Sequence, residues 1–343
     1  MDTKIITNPS EQDIDTLARA LRNGELVSIP TETVYGLGAN GLDPEAMDKI
    51  YAAKGRPSDN PLILHVPNSE SIKPLVTEIS ATAQALMDAF WPGPLTITLP
   101  KSDLVPDRAT GGLPRVALRC PDHKVCRALL ERAGVPVAAP SANISGRPSP
   151  TTAEDVYNDM NGRISYILDA GPCTIGVEST VVEVHDDKVI ILRPGGITKA
   201  QLERVVSTVE YDTALVNATT KPKAPGMKYT HYAPDASMTV VVGSPEGVAH
   251  TFKELSEGIE GPIGCLVSHE TYNLIKEDGR FMCHCFGHHG DALALGHDFY
   301  KSLLHFNENH VTLILAEGVD DDGFGVAIMN RMEKASSHHI IYK

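Results

Sequence analysis

DPEAMDKIYAAKGRPSDNPLILHV, residues 43–66, changes backbone rhythm once along its length, and that change decides the fold class. Asp43 followed by Pro44 opens a helix: a short acceptor caps the first turn, and the N–H that proline lacks is not needed there. Met47, Ile50 and Tyr51 recur at the spacing of one helical face, and Gly55 supplies the left-handed backbone that ends it. PLILHV (61–66) then reads as a short buried strand. Helix, Gly/Pro junction and strand in succession form the unit of an α/β domain. The junction carries Lys54 and Arg56 one residue apart.

Working outward, Ser10 is a second N-cap, with Ile14, Leu17, Ala18 and Leu21 at helical spacing and Gly24 closing the helix. Strands are predicted at ELVSIP (25–30), LTITLP (95–100), RVALRC (115–120), VPVAAP (135–140), ISYILDA (164–170), STVVEV (179–184) and VIILRP (189–194), each rich in β-branched residues and bounded by Gly, Pro or Asp. Helices are predicted over about 80–90, 122–133, 152–161 and 198–207. Several strands follow one another directly, so the sheet of this α/β domain is a mixed, twisted open sheet. TVYGLGANG (33–41) reads as a tight turn, with phosphate contact as the alternative.

The first domain is assigned to residues 1–210. TALVNATTKPKAPGMKYTHYAP (213–234) has little periodicity, and 211–237 is read as a Pro-rich linker. In 238–343 the strands MTVVV, PIGCLV, FMCHCF and VTLILA alternate with helices around 246–257, 291–308 and 325–336. That pattern predicts a second, smaller, doubly wound and mostly parallel α/β domain of Rossmann-like type. No internal repeat relates the two halves.

Composition narrows the function. A formal net charge of -14 argues against a surface that grips phosphate backbones, so little direct nucleic-acid binding is expected. The N-terminus has no signal-like apolar stretch and no run approaches the ~20 apolar residues of a membrane span, which predicts a soluble, cytoplasmic protein. Six scattered cysteines suggest no disulfide framework. CHCFGHH (283–289) offers ligand types, but its spacing matches no common zinc pattern, and no metal site is assigned.

Lys54 and Arg56 have two readings, an anion site or a solvated pair at a helix C-terminus. PVAAPSANISGRPSP (136–150) likewise ends a strand at Pro140 and presents Ser141 and Asn143, either to a ligand or to an ordinary side-chain turn. No G-x-x-x-x-G-K-[ST] loop is present, so any phosphate site is built differently.

Together with PTETVYGLG (30–38), WPGPLTITL (91–99), GVESTVV (176–182) and RPGGIT (193–198), these stretches closely resemble the YrdC-like threonylcarbamoyl-AMP synthase family. The motif order matches from about residue 10 to 205. KYTHYAP (228–234) followed by a small Rossmann-like domain is similar to the family's long form. The resemblance implies a nucleotidyltransferase that converts L-threonine, bicarbonate and ATP, with Mg²⁺, into threonylcarbamoyl-adenylate and pyrophosphate. That adenylate is the activated precursor for threonylcarbamoyladenosine in tRNA and is handed to a tRNA threonylcarbamoyl-transfer complex.

The same resemblance implies roles for residues at matching positions. Lys54, Arg56, Ser141 and Asn143 are catalytic candidates; Arg56, Asn60, Arg115, Ser141, Asn143, Ser149, Arg193 and Tyr232 are candidates for ATP. Thr33, His65, Arg119, Ala139 and Ser179 are candidates for L-threonine, Ala139 through its backbone. Arg119 suits a carboxylate, or pairs with a structural Asp; His65 reads otherwise as a core histidine. Arg115 departs from the family, where many relatives carry threonine, and either reaches the nucleotide or points to solvent. Tyr229, His231 and Tyr232 suggest a linker that folds over the pocket as a lid, or else a plain tether. The competing functions are a carbamoyl-adenylate-forming carbamoyltransferase and a direct RNA-binding module.

Overall fold

The computed structural model describes residues 2–58, 60–215 and 232–343. The chain separates into two compact units, one built from 1–145, 149–174 and 178–229, the other from 146–148, 175–177 and 230–343.

Among its described residues the first unit holds eleven strands: β1 (Lys4–Thr7), β2 (Val27–Ile29), β3 (Gly36–Asn40), β4 (Ile63–His65), β5 (Leu95–Pro100), β6 (Arg115–Arg119), β7 (Val137–Ala138), β8 (Tyr166–Asp169), β9 (Thr180–Val184), β10 (Val189–Arg193) and β11 (Val209–Tyr211). Their order in the sheet is β1-β8-β2-β3-β7-β4-β6-β5-β9-β10-β11. The sheet is mixed: β4 runs parallel to β6 and β5 parallel to β9, whereas β5 is antiparallel to β6 and β7 is antiparallel to both β3 and β4.

The helices start where their caps dictate. Ser10 and Asp13 form a reciprocal capping box on Glu11–Arg22, and Asp43 caps Pro44–Lys54. That second helix ends at Gly55, whose φ of 62° is left-handed and open to glycine without strain. Ala81–Phe90, Lys124–Ala133 and Ala153–Met160 lie where helices were predicted, but the predicted 198–207 helix contracts to Lys199–Leu202.

Two elements depart from the sequence reading. The glycine run read as a turn is strand β3 over Gly36–Asn40, with Gly41 in the turn that follows. A Cβ on Gly38 would lie 2.9 Å from both Val137 Cγ1 and the Val27 carbonyl oxygen, so glycine is required by close strand packing. VPVAAP, predicted as a full strand, is regular strand only at Val137 and Ala138, with Pro136 and Pro140, which have no N–H to donate, close on either side.

The second unit is a five-stranded sheet of β12 (Ser237–Val242), β13 (Ile263–Ser268), β14 (Phe281–Gly287), β15 (Leu313–Glu317) and β16 (Ile340–Tyr342), ordered β14-β13-β15-β12-β16. Every pairing in it is parallel. Cys283 and Cys285 sit on β14 among the apolar residues that pack its core. Among the described residues no helix is long and apolar enough to cross a membrane.

Candidate active site

Strand register sorts the first sheet into two chemically different faces. Residues paired in register share a face, and alternate residues point to opposite sides. Leu64, Leu118, Ile97, Val116 and Val182 point into the main helix-packed core. Their alternates, His65 opposite Arg119 and Ala117 opposite Thr98, share the other face, with Thr96 opposite Val181 and Thr98 opposite Glu183 continuing it. The apolar centre of that face, Ile63, Ala117, Val181 and Leu192, is built from strand residues alone. Polar and charged side chains surround it.

Lys54 is the last residue of its helix. Its ammonium donates to the carbonyls of Ser141 at 2.5 Å and Asn143 at 2.6 Å and lies 3.5 Å from Asn143 Oδ1. The Ser145 N–H returns a bond to the Lys54 carbonyl at 2.8 Å, and Asp159 accepts from the Ile144 N–H at 2.9 Å. Helix end and Ser-x-Asn loop are therefore one construction. Burial, reinforced by the nearby Arg56 charge and opposed by Asp159, pulls the Lys54 ammonium well below its usual range. Arg56 is itself buried. Asn60 is 2% exposed, and its Nδ2 has no hydrogen-bond partner among the described residues.

At the carboxyl ends of β4 and β6, His65 and Arg119 lie side by side. His65 is buried, with Nδ1 3.2 Å from the Ile63 carbonyl. Desolvation, aided by Arg119, pulls its pKa down to about 3, so the imidazole is neutral. Arg119 donates through Nη1 to Thr33 Oγ1 at 2.9 Å and through Nε to the Gly93 carbonyl at 3.4 Å. Its Nη2 lies 2.8 Å from Glu32 Oε1. Arg119 thus has a buried acidic partner, a glutamate, where the alternative to a ligand carboxylate was a structural Asp. The Ala139 N–H is committed to the Ile63 carbonyl at 3.0 Å.

A third group forms where β5 and β9 begin and β10 ends. Ser179 and Thr96 share a hydroxyl bond at 2.8 Å, and Arg193 donates to the Ser179 carbonyl from Nε at 3.1 Å and from Nη2 at 3.0 Å. Ser149 donates to Glu178 at 2.7 Å. Thr33, His65, Arg119, Ser179 and Arg193 are thus linked to one face and its rim.

Arg115, read as reaching the nucleotide or pointing to solvent, is half-buried and anchored to strand carbonyls. Its Nη2 donates to the carbonyls of Thr98 at 2.7 Å and Val184 at 2.6 Å, at the opposite end of β6 from Arg119. Desolvation lowers its pKa against the pull of Glu183. It lines a cavity of about 210 Å³ with Leu62, Thr98, Ala117 and Leu192. Tyr232 belongs to the second unit, where it is buried, adopts φ 66° and packs 5.3 Å from the Tyr300 ring. Tyr229 and His231, and with them the lid reading, lie outside the described residues.

Sequence reasoning passed over Glu32, Thr96 and Asp159. Glu32 sits inside the quoted PTETVYGLG stretch, where a charged residue flanked by threonines in an otherwise apolar run was the available signal. Thr96 is legible from the alternation of LTITLP once the face of Arg119 is known. Asp159 carries no local sign of its contact with residue 144.

A helix-backed mixed sheet with buried cations on its other face, followed in sequence by a parallel five-stranded unit, defines a two-domain α/β protein. The Sua5_yciO_yrdC family, described as telomere recombination, matches residues 19–195, and the threonylcarbamoyl-AMP synthase C-terminal domain matches residues 197–337. A threonylcarbamoyl-AMP synthase of Bacillus subtilis is 46% identical over 97% of this chain and 95% of its own length. One from Pyrococcus abyssi is 44% identical over 96% of each. The solved structure of P. abyssi Sua5 complexed with L-threonine superposes with a TM-score of 0.89 at 41% identity, covering 100% of this chain and 99% of that one. The chain belongs to the threonylcarbamoyl-AMP synthase family.

Proposed function

We propose that the protein acts as a threonylcarbamoyl-AMP synthase, joining L-threonine, bicarbonate and ATP to give threonylcarbamoyl-adenylate and pyrophosphate. The observation that carries this is the match of both units, end to end, to relatives bearing that name. The reaction explains why no nucleophile triad is needed: transfer to the α-phosphorus of ATP depends on positioning and charge neutralisation more than on a protein nucleophile.

In this reading Arg56 neutralises charge that grows on the departing pyrophosphate, and Lys54 holds the Ser141–Asn143 loop against the nucleotide. Ser149, Arg193 and Asn60 contribute to ATP, with the free Nδ2 of Asn60 available as a donor. Arg119 takes the threonine carboxylate, while Thr33, Ser179 and neutral His65 contact its polar groups. Ala139 has its N–H committed, so only its carbonyl could serve. Mg²⁺ enters as the counter-ion of the triphosphate. Among the described residues no three carboxylate, imidazole or thiol groups cluster to cage a cation. The unstable product then passes to a tRNA threonylcarbamoyl-transfer complex.

The test is pyrophosphate release from Mg-ATP and bicarbonate, with and without L-threonine, alongside mass detection of the adenylate. Threonine-dependent release with the adenylate mass is the expected result. Release that ignores threonine sinks the proposal and favours carbamoyl-phosphate chemistry.

A further inference from the structure

Glu32 and Arg119 form a buried ion pair whose hydrogen bonding is incomplete. Their side chains are 7% and 4% exposed, and Glu32 Oε1 approaches Arg119 Nη2 to 2.8 Å. The approach is out of line for a hydrogen bond, so both Glu32 oxygens and Nη2 carry none among the described residues. A buried ion pair is favourable only when further hydrogen bonds satisfy its remaining lone pairs and protons.

The surroundings hold this pair in place. The guanidinium is oriented by its bonds to Thr33 and Gly93. Thr33 Oγ1 accepts from Arg119 and lies 2.9 Å from Thr31 Oγ1, which donates to the Val34 carbonyl at 2.6 Å. Thr31 Oγ1 also accepts the N–H groups of Thr33 at 3.1 Å and Val34 at 3.3 Å. The segment bearing Glu32 is therefore wound around one hydroxyl, and its carboxylate is preorganised rather than free to seek another partner.

What the pair lacks is complementary. Glu32 lacks donors, and Arg119 Nη2 lacks an acceptor. An α-amino acid zwitterion carries both, an ammonium with three N–H donors and a carboxylate one carbon away. We infer that Glu32 is a specificity-determining residue that reads the α-ammonium of the amino acid whose carboxylate Arg119 takes. This rests on the reading of L-threonine as substrate. The alternative is a purely structural tie between the 31–34 segment and β6.

Binding of L-threonine and of 3-hydroxybutanoate, which keeps the carboxylate and hydroxyl but lacks the ammonium, separates the two. Calorimetry on the full-length wild type, Glu32→Gln and Glu32→Asp gives the ratio of the two affinities, with 3-hydroxybutanoate measured by competition. Wild type should prefer threonine by about 100-fold, because a site built to bond a polar group rejects the ligand lacking it. Glu32→Gln should reduce that preference below about tenfold with little change for 3-hydroxybutanoate, and Glu32→Asp should retain part of it. Parallel loss of both ligands in Glu32→Gln, leaving the ratio unchanged, overturns the inference and leaves a structural tie. A wild type that binds no L-threonine overturns the substrate reading itself.

Discussion

Lys54 Nζ lies 2.5 Å from the carbonyl oxygen of Ser141, 87 residues further along the chain. A buried ammonium so placed gains two carbonyl dipoles in return for lost hydration, and it fixes the loop it bonds. Lys54→Met keeps most of the side-chain volume and removes the charge. We expect it to unfold at a higher temperature than Lys54→Ala, because Met leaves a smaller cavity. Its kcat should fall at least about tenfold, since the loop loses charge-assisted bonds worth about 1.5–3 kcal/mol. Thermal unfolding and steady-state turnover on the same preparations check both; near-normal turnover removes Lys54 from the machinery.

Arg56 lowers the pKa of Lys54, so the two cations repel across their shared junction. A polyphosphate between them offsets that repulsion. Arg56→Ala should lower kcat/KM for ATP by about 10- to 100-fold, the loss of one charge-assisted contact. Pyrophosphate release at varied ATP measures it, and an unchanged kcat/KM would place Arg56 outside the site.

His65 gives a pH dependence of stability with a defined sign. Its folded pKa is about 3, against an ordinary 6.5. Between those values the unfolded chain holds a proton that the folded protein does not, so stability falls as pH drops from 6.5 towards 3 and is unaffected by this group above 6.5. The slope from one such group is at most about 1.4 kcal/mol per pH unit. Denaturant unfolding of wild type and His65→Gln at pH 7.5 and pH 5 should show a smaller acid loss in the variant. Equal losses would mean that His65 is protonated in the folded state.

Most of the fold is legible in the sequence because caps and breakers are local signals. Ser10, Asp43 and Gly55 announce their helices, and the β-branched runs announce most strands. What escapes is set by distant partners. Gly36 to Asn40 forms a strand only because Val27–Ile29 and Val137–Ala138 lie on either side of it, and its glycines follow from that proximity. The Lys54–Ser141 contact is hidden for the same reason, although its two motifs were visible separately. The candidate site was legible as residue types, whereas the Glu32 partner of Arg119 and the backbone attachment of Arg115 depend on the register of strands far apart in sequence.

Gly38→Ala tests the strand reading of that glycine run. Its Cβ would meet the Val27 carbonyl at 2.9 Å, a backbone atom that cannot rotate away. A loss of about 1–3 kcal/mol in stability is expected from overpacking, read as a lower denaturant midpoint with an unchanged slope. Wild-type stability would mean that the neighbouring strands separate easily.

Arg119 should couple stability to substrate more strongly than any other residue on this face. Removing it leaves Glu32 buried beside apolar strands without its cation, and breaking a buried pair from one side costs about 3–5 kcal/mol. Arg119→Met should therefore be markedly destabilised, and combining it with Glu32→Gln should restore part of the loss, because the orphaned charge is gone. A second readout separates packing from binding. L-threonine at 100 times its Kd should stabilise wild type by about 2.7 kcal/mol, whereas the double variant, though better folded than Arg119→Met, should show almost no threonine-dependent rise in midpoint. If the double variant still responds to threonine as wild type does, the carboxylate is held elsewhere on the sheet and the pair at β6 serves the fold alone.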